Sequence, residues 1–198
     1  EVGRLRDIVD RQVAQPTRLV DDLLDVSRLA TGKIKLRREL VDASDVVARS
    51  IETARPLIDA RRHVLKVQAS PARLLVDGDL TRLAQVLQNL LVNAAKYTPE
   101  GGEIRVVTRR VGGHVEILVQ DNGRGIAAGG LERIFELFAQ GEGDHHSGAG
   151  DSGLGGGLAL ARALIQMHGG GMSAHSEGAG RGATFSVRLP LAPQAASA

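Results

Sequence analysis

Residues 79–102 read DLTRLAQVLQNLLVNAAKYTPEGG, and this stretch predicts a long, largely buried helix. Asp79 is a good N-cap residue, and Thr98, Pro99 and the two glycines after them are a strong stop signal. Apolar residues recur at steps of three and four between these two signals, as the buried side of a helix requires. They are Leu80, Leu83, Val86, Leu87, Leu90, Leu91 and Ala94. The sequence therefore predicts a helix from Asp79 to about Lys96.

A polar stripe runs along the same helix, because Gln85, Asn89, Asn93 and Lys96 follow one another at steps of four, four and three. Asparagine lowers helix propensity, and a buried asparagine needs hydrogen-bond partners. A solvated face explains such a stripe as well as a ligand-binding face does. If a ligand lies there, an asparagine carbonyl can bind Mg²⁺ and a lysine can contact a phosphate group.

The glycines are concentrated in one part of the chain. Of the 25 glycines, 22 lie between residues 101 and 182, and the 17-residue stretch 141–157 holds eight of them. A segment this rich in glycine buries too little apolar surface to offset the entropy lost when it becomes ordered. We therefore expect a mobile loop that contacts with a ligand could order. Gly153 to Leu158 then opens a helix, where backbone N–H groups form a natural phosphate cradle. A flexible linker would produce the same pattern.

The remaining elements predict an α/β two-layer sandwich, with a mixed sheet and helices on one face. A long helical arm covers residues 1–30, with Pro16 expected to kink it, and residues 33–38 are predicted as an edge strand. A second helix is expected at 44–61, with Ser44 or Asp45 as its N-cap. Strands are expected at 63–68 and 73–76, hairpins at 103–111 with 114–121 and at 172–176 with 184–189, and helical pieces at 131–138 and 158–168.

These elements predict three regions: the arm at 1–32, an α/β domain at 33–191, and a disordered tail at 192–198.

Composition excludes several classes of function. The absence of cysteine excludes disulfides, a cysteine-ligated zinc site and a thiol nucleophile. A net charge of +2 and 2% aromatic residues argue against nucleic-acid binding. No apolar run approaches the ~20 residues that cross a bilayer, so we expect no membrane contact.

A second motif follows the strand 114–121, where residues 121–126 read DNGRGI. A carboxylate at this strand end can accept a hydrogen bond from an exocyclic amine, and Gly123 and Gly125 permit a close backbone approach. Adenine offers such an amine, whereas the matching edge of guanine carries a carbonyl group. An ordinary turn would also produce this pattern.

Together, in their order and spacing, these motifs resemble the catalytic region of sensor histidine kinases. Residues 79–104 resemble the N box of that family, DNGRGI the G1 box, IFELFAQ at 134–140 the F box, and SGLGGGLALARALIQMHGG at 152–170 the G2 box. GATFSVRLP at 182–190 resembles the closing strand, and residues 11–42 resemble the second helix of the dimerisation and phosphoacceptor domain with its linker. The resemblance implies the Bergerat ATP-binding fold, which type II topoisomerases and mismatch-repair ATPases share.

The resemblance also implies roles for individual residues in binding ATP and Mg²⁺. Asn93 corresponds to the Mg²⁺-binding asparagine and Lys96 to a phosphate contact, while Asn89 lies on the same polar face. The residues implied around the adenine are Tyr97, Asp121, Gly123 and Gly125, and Ile126 and Thr184 are two further implied cofactor-binding residues. The residues implied at the loop and its phosphate contacts are Phe135, Phe138, Gly153, Leu154, Gly155, Gly157 and Leu158.

The implied reaction is transfer of the ATP γ-phosphoryl group to a histidine. None of the six histidines has the sequence context of the family's phosphoacceptor, so we expect this histidine on a helix that the chain lacks. His168 precedes two glycines at a helix end, where a cation would favour the helix dipole, so we expect a capping role. The implied partners are that histidine-bearing helix and a response regulator receiver domain. The sequence does not decide whether the chain forms a homodimer. We expect a cytoplasmic location, which is also compatible with a membrane-associated full-length parent protein.

Two alternatives stay open on the sequence. A slow ATPase of the same fold would need a glutamate one turn before the metal-binding asparagine, but that position is Asn89. A non-catalytic nucleotide-binding or dimerisation module is compatible with the run of three glycines at 155–157, because extra backbone freedom raises the cost of ordering the loop.

Overall fold

The computed structural model describes residues 34–131, 133–136 and 156–193. The sequence predictions for the helical arm, for Pro16, for Phe138, for Gly153, Leu154 and Gly155, and for the last five residues of the tail lie outside these ranges.

The described residues form four helices and seven strands. In chain order, the helices are α1 (Ala43–Ala60), α2 (Leu80–Tyr97), α3 (Ala128–Leu131) and α4 (Gly157–Met167). The strands are β1 (Glu39–Asp42), β2 (Val64–Gln68), β3 (Leu75–Gly78), β4 (Glu103–Val111), β5 (His114–Asp121), β6 (Gly171–His175) and β7 (Ala183–Pro190).

Five of the strands form one sheet in the order β2-β4-β5-β7-β6, and β1 pairs with β3 separately. Strand β2 runs parallel to β4, whereas every other neighbouring pair in the sheet is antiparallel, so the predicted mixed sheet is confirmed. Alternate residues of the three central strands are buried, and they form the core together with the apolar sides of α1, α2 and α4. Helix α2 packs between α1 and α4, which makes it the central element of the helical layer.

The other face of the sheet carries polar side chains, and Glu116 is buried among them. Its side chain accepts hydrogen bonds from Arg109 Nε at 2.7 Å and Arg188 Nε at 2.8 Å, and both arginines lie directly across from it in the register. The hydrogen bond from Arg188 is the main cause that lowers the pKa of Glu116, even though burial acts in the opposite direction. This ion triad therefore stabilises the register of three strands.

The structure corrects two sequence predictions at the start of the domain. Residues 34–38 form no strand, and the strand begins only at Glu39. This linker instead makes contacts to the helices: Arg37 N–H donates to Asp79 Oδ2 at 2.9 Å, and Arg38 donates to the Met167 carbonyl at 2.6 Å. The N-cap of α1 is Asp42, which accepts from Ser44 N–H, so neither Ser44 nor Asp45 caps this helix.

The expected helical piece at 131–138 is also corrected. The helix at this place is α3, which ends at Leu131, and turns follow at residues 133–135. The other predicted elements agree with the structure to within about two residues at each end, as helix and strand boundaries usually do.

His168 links the two helices α2 and α4, but it does so as a neutral side chain and not as the cation we expected. It is 4% exposed, its Nδ1 donates to the Leu164 carbonyl at 2.6 Å, and its Nε2 accepts from Asp79 N–H at 3.0 Å. Burial lowers the pKa of His168 below its usual 6.5. Asp79 also caps α2 and binds the linker at Arg37, so one buried contact joins three segments.

This contact predicts a loss of stability in mild acid. The pKa of His168 is lower in the folded protein than in the unfolded chain, so its contribution is fully present above about pH 6.5. That contribution is lost as the pH falls through the folded-state pKa, because the unfolded chain then binds the proton more readily. Urea unfolding at pH 7.5 and pH 5.5 measures the effect. We expect His168→Ala to lower the free energy of unfolding by about 2–3 kcal/mol at pH 7.5 and by less at pH 5.5.

The difference between wild type and variant removes the contribution of the other histidines. A variant that loses the same free energy at both pH values would contradict a neutral His168 in the folded state.

Candidate functional site

The polar stripe of α2 meets the first residue of α4. Asn89 is half-buried, and its Nδ2 donates to the Gly157 carbonyl at 3.2 Å. Asn93 lies one helical turn further along and is also half-buried, and its side chain forms no hydrogen bond with another residue in the described part of the chain. The carbonyl oxygen of Asn93 is therefore available to a ligand.

The turn at 121–126 lies against the other end of the stripe. Arg124 N–H donates to the Tyr97 carbonyl at 3.0 Å, and the Arg124 guanidinium lies 4.1 Å from the centre of the Tyr97 ring. Lys96 Nζ lies 5.5 Å from the same ring centre. Asn93 thus lies one helical turn from the residue that contacts α4 and one helical turn from the residue that contacts the turn at 121–126.

Asp121 ends β5 beside this turn, and its carboxylate is held by backbone groups. Gly123 N–H donates to Asp121 Oδ1 at 2.9 Å, and the Ala183 N–H also donates to the carboxylate. Burial raises the pKa of Asp121, and these two N–H groups only partly oppose that effect. No cation among the described residues forms an ion pair with it. Since an ionised carboxylate has about four acceptor sites, it can still accept from a ligand.

Two glycines allow the turn to pack so closely. A Cβ at Gly123 would collide with the Tyr97 carbonyl, and a Cβ at Gly125, where φ is +69°, would collide with the Gly178 carbonyl. Ile126 N–H donates to Ser176 Oγ at 3.0 Å, and the Ile126 side chain packs against the core. The glycines therefore place the turn by close backbone packing against α2 and against the loop between β6 and β7.

Phe135 and Leu158 lie on either side of the glycine-rich segment in the sequence, and each packs against the rest of the domain. The Phe135 ring meets the Phe185 ring edge-on with centres 6.5 Å apart, and the Arg162 guanidinium lies 5.1 Å from the centre of the Phe135 ring. Leu158, in the first turn of α4, packs against the core. Phe135 is thereby tied to both β7 and α4.

Thr184 is not brought together with Asp121. Asp121 pairs with Ala183 in the register, whereas Thr184 pairs with Gln120, and side chains alternate between the two faces of a strand. Thr184 therefore lies on the sheet face away from the core. It directly follows Ala183, which is the residue that pairs with Asp121. Sequence reasoning missed the Ala183 N–H and the Ser176 hydroxyl. The register of β5 and β7 places the Ala183 N–H, and the packing of the loop after β6 against the turn at 121–126 places the Ser176 hydroxyl.

Two negative findings apply to the described ranges. No group of three or more His, Cys, Asp or Glu residues there could hold a metal ion. No helix in those ranges is both long enough and apolar enough to span a bilayer.

The family model described as histidine kinase-, DNA gyrase B-, and HSP90-like ATPase matches residues 78–193. Among curated relatives, the alginate biosynthesis sensor protein KinB of Pseudomonas aeruginosa is 36% identical over 183 residues, which cover 92% of this chain and 30% of that protein. The histidine protein kinase DivJ of Caulobacter vibrioides is 38% identical over 181 residues, covering 90% of this chain and 30% of that protein.

Solved structures give the same result. A mycobacterial sensor histidine kinase, MprB, is 30% identical with a TM-score of 0.68, and the match covers 78% of this chain and 99% of that one. Full-length ShkA in complex with AMPPNP is also 30% identical, with a TM-score of 0.76, and the match covers 88% of this chain and 35% of that one. The chain spans about 30% of the length of the two curated relatives above. It belongs to the histidine kinase-, DNA gyrase B-, and HSP90-like ATPase family, as the catalytic ATP-binding domain of a sensor histidine kinase.

Proposed function

We propose that the protein binds Mg-ATP between α2, the turn at 121–126 and the first turn of α4, and transfers the γ-phosphoryl group to a histidine of another helix. The observation that carries this proposal is the Asp121 carboxylate. It is half-buried beside the asparagine-bearing helix, its pKa is raised by burial, and among the described residues only backbone N–H groups donate to it. Such a carboxylate offers strong acceptor capacity to a ligand that donates.

At the adenine end, Asp121 accepts a hydrogen bond from the exocyclic amine. Guanine would present a carbonyl oxygen to the same carboxylate, and the two acceptors would repel each other. Tyr97, the last residue of α2, and Ile126, the last residue of the turn that carries Asp121, are both partly buried. The AMPPNP complex of ShkA supports a nucleotide as the ligand of this fold.

At the phosphate end, the residues present suit Mg²⁺. Because Mg²⁺ keeps several waters and takes phosphate oxygens as ligands, one protein oxygen is enough, and Asn93 has that oxygen available. The ion would neutralise charge on the phosphates. The N-cap of α4 is Gly156, which has no capping side chain, so the first N–H groups of this 11-residue helix remain available to an anion. Lys96 adds a positive charge one turn beyond Asn93.

In phosphoryl transfer the protein mainly positions the groups and balances charge, since the transition state is loose. The Asn89 amide donates to Gly157 and so fixes the start of α4 against α2. No carboxylate stands one turn before Asn93 to activate water, so the phosphoryl group is kept for a histidine. The partners that follow are a histidine-bearing phosphoacceptor helix and a response regulator receiver domain. Dimerisation through the region of residues 1–30 is compatible with this reaction.

Asp121→Asn should have opposite effects on stability and on binding. The raised pKa means that the carboxylate costs stability at neutral pH, since the unfolded chain ionises more readily, so the variant without nucleotide should melt at a higher temperature. Loss of a charge-assisted hydrogen bond should weaken AMPPNP binding about ten- to hundredfold, from roughly 1.5–3 kcal/mol. Calorimetry and thermal melting measure both effects. Asp59→Asn, in an exposed pair on α1, is the matched control.

Unchanged AMPPNP affinity in a folded Asp121→Asn variant would overturn the proposed nucleotide site, because the Asp121 carboxylate carries that proposal.

Asn93→Ala should weaken nucleotide binding mainly when Mg²⁺ is present, because the variant loses an oxygen ligand of the ion. AMPPNP affinity is measured by calorimetry with Mg²⁺ and again with a chelator, and we expect a loss of about tenfold with the metal and a much smaller loss without it. Thr81→Ala, at an exposed position in the first turn of the same helix, should change neither value. Equal losses in both conditions would refute the ligand role.

The reaction itself is tested by adding the phosphoacceptor. Alone with Mg-ATP, the chain should release phosphate far more slowly than ~1 s⁻¹, the low end of common enzyme turnover. Joined to a histidine-bearing phosphoacceptor helix, it should form acid-labile phosphate, and the Asn93→Ala version should not. A chain that binds AMPPNP tightly but never forms acid-labile phosphate would be a non-catalytic nucleotide-binding module.

A further inference from the structure

The Ser176 hydroxyl lies where three backbone segments meet, directly after β6. It accepts hydrogen bonds from Ile126 N–H at 3.0 Å and Gly178 N–H at 3.3 Å, and it donates to the Gly182 carbonyl at 2.6 Å. A hydroxyl has one proton and two acceptor lone pairs, so these three bonds use its full capacity. Ser176 therefore ties the turn at 121–126 to both ends of the loop between β6 and β7.

The bond to Gly182 leads directly to Asp121. The Gly182 carbonyl and the Ala183 N–H belong to one peptide group, and that N–H donates to the Asp121 carboxylate. A donor on the carbonyl polarises the peptide group and strengthens the hydrogen bond that its N–H donates. The Ser176 hydroxyl is thus the first member of a chain that runs through one planar peptide to the carboxylate.

A second connection reaches the same carboxylate from the other side. Gly182 N–H donates to the Gly123 carbonyl at 3.1 Å, and Gly123 N–H donates to Asp121 Oδ1 at 2.9 Å. Both N–H groups that hold the carboxylate therefore belong to segments whose positions Ser176 fixes. The contact is also tight, since a Cβ at Gly125 would lie 3.2 Å from Ser176 Oγ.

We propose that Ser176 is a positioning residue for adenine recognition, which acts through Asp121 by fixing the two backbone N–H groups that orient its carboxylate. This inference rests on the proposed function, because it takes the adenine amine as the donor to Asp121. Removal of the hydroxyl leaves Ile126 N–H and the Gly182 carbonyl without their partner. The turn and the Ala183 peptide then lose their shared anchor, and the carboxylate loses its fixed direction.

A double-mutant cycle with Mg-AMPPNP as the probe tests the inference on the whole 198-residue chain. Affinity is measured by calorimetry for wild type, Ser176→Ala, Asp121→Asn and the double variant. Ser176→Ala should weaken binding about five- to tenfold in the wild-type background, consistent with one lost hydrogen bond. In the Asp121→Asn background it should weaken binding less than about twofold, because the group through which it acts is already changed.

Ser173→Ala is the matched control, since Ser173 lies in β6 on an exposed position, and it should leave the affinity unchanged. If Ser176→Ala does not fold, Ser176→Cys takes its place in the cycle, because a thiol is nearly the same size and only a weak donor. A second readout is the Asp121 carboxyl signal in NMR titrations, which should report a higher pKa once the hydroxyl is removed.

The outcomes separate this inference from the proposed function. If Asp121→Asn alone leaves AMPPNP affinity unchanged, the proposed nucleotide site fails. If Asp121→Asn weakens binding but Ser176→Ala has no effect, or weakens binding equally in both backgrounds, the site stands and the positioning role of Ser176 is wrong.

Discussion

The structure depends on one constraint on helix α2. The helix must bury its apolar sides against α1, α4 and the sheet, and must still leave its polar stripe uncovered. Its leucines and alanines pack against α1, α4 and the sheet, and eight of its residues are buried. The remaining stripe carries Asn89, Asn93 and Lys96, all of them half-buried. Since the packed sides fix the rotation of the helix about its axis, the same contacts that stabilise the fold also aim the asparagines at the site.

Strand β5 shows how one element serves both stability and binding. It carries Glu116 on one face and Asp121 on the other, and burial raises the pKa of each carboxyl. Two arginines more than compensate for burial at Glu116 and hold its pKa below the usual value. Within the described part of the chain Asp121 has only backbone N–H donors, and its pKa stays raised. The Glu116 carboxylate is therefore fully paired within the fold. The Asp121 carboxylate can still accept a hydrogen bond, and its burial lowers the stability of the protein.

How much the sequence predicts depends on whether the deciding contacts are local. Helix α2, its Asp79 cap and the hairpin of β4 and β5 follow from patterns within a few residues, and these predictions are confirmed. The linker at 34–38 has the alternating residues of a strand, but contacts with Asp79 and Met167 far along the chain decide its conformation. His168 was expected to be charged from its place at a helix end, yet burial against Asp79 keeps it neutral.

The site shows the same limit, because motif spacing names Asp121, Asn93 and Gly123 but says nothing of register. The closing-strand motif suggests Thr184, whereas the strand pairing puts Ala183 opposite Asp121 and turns Thr184 to the other face. Ser176 belongs to no recognised motif, and its importance appears only when the loop between β6 and β7 is seen against the turn at 121–126. The residues proposed to bind directly are thus named by sequence motifs, whereas the contacts proposed to orient them appear only in the assembled fold.

Position 89 bears on the choice that we propose between two chemistries of this fold. The Asn89 amide donates to the Gly157 carbonyl, which brings the first turn of α4 to the polar face of α2. A glutamate there, as the hydrolytic relatives need, would place a carboxylate against that carbonyl, and neither group could donate to the other. A glutamate at this position would therefore lose the hydrogen bond that Asn89 donates to the first residue of α4. Asn89 thus fixes the start of α4 beside the proposed phosphate end of the site and offers no carboxylate that could activate water.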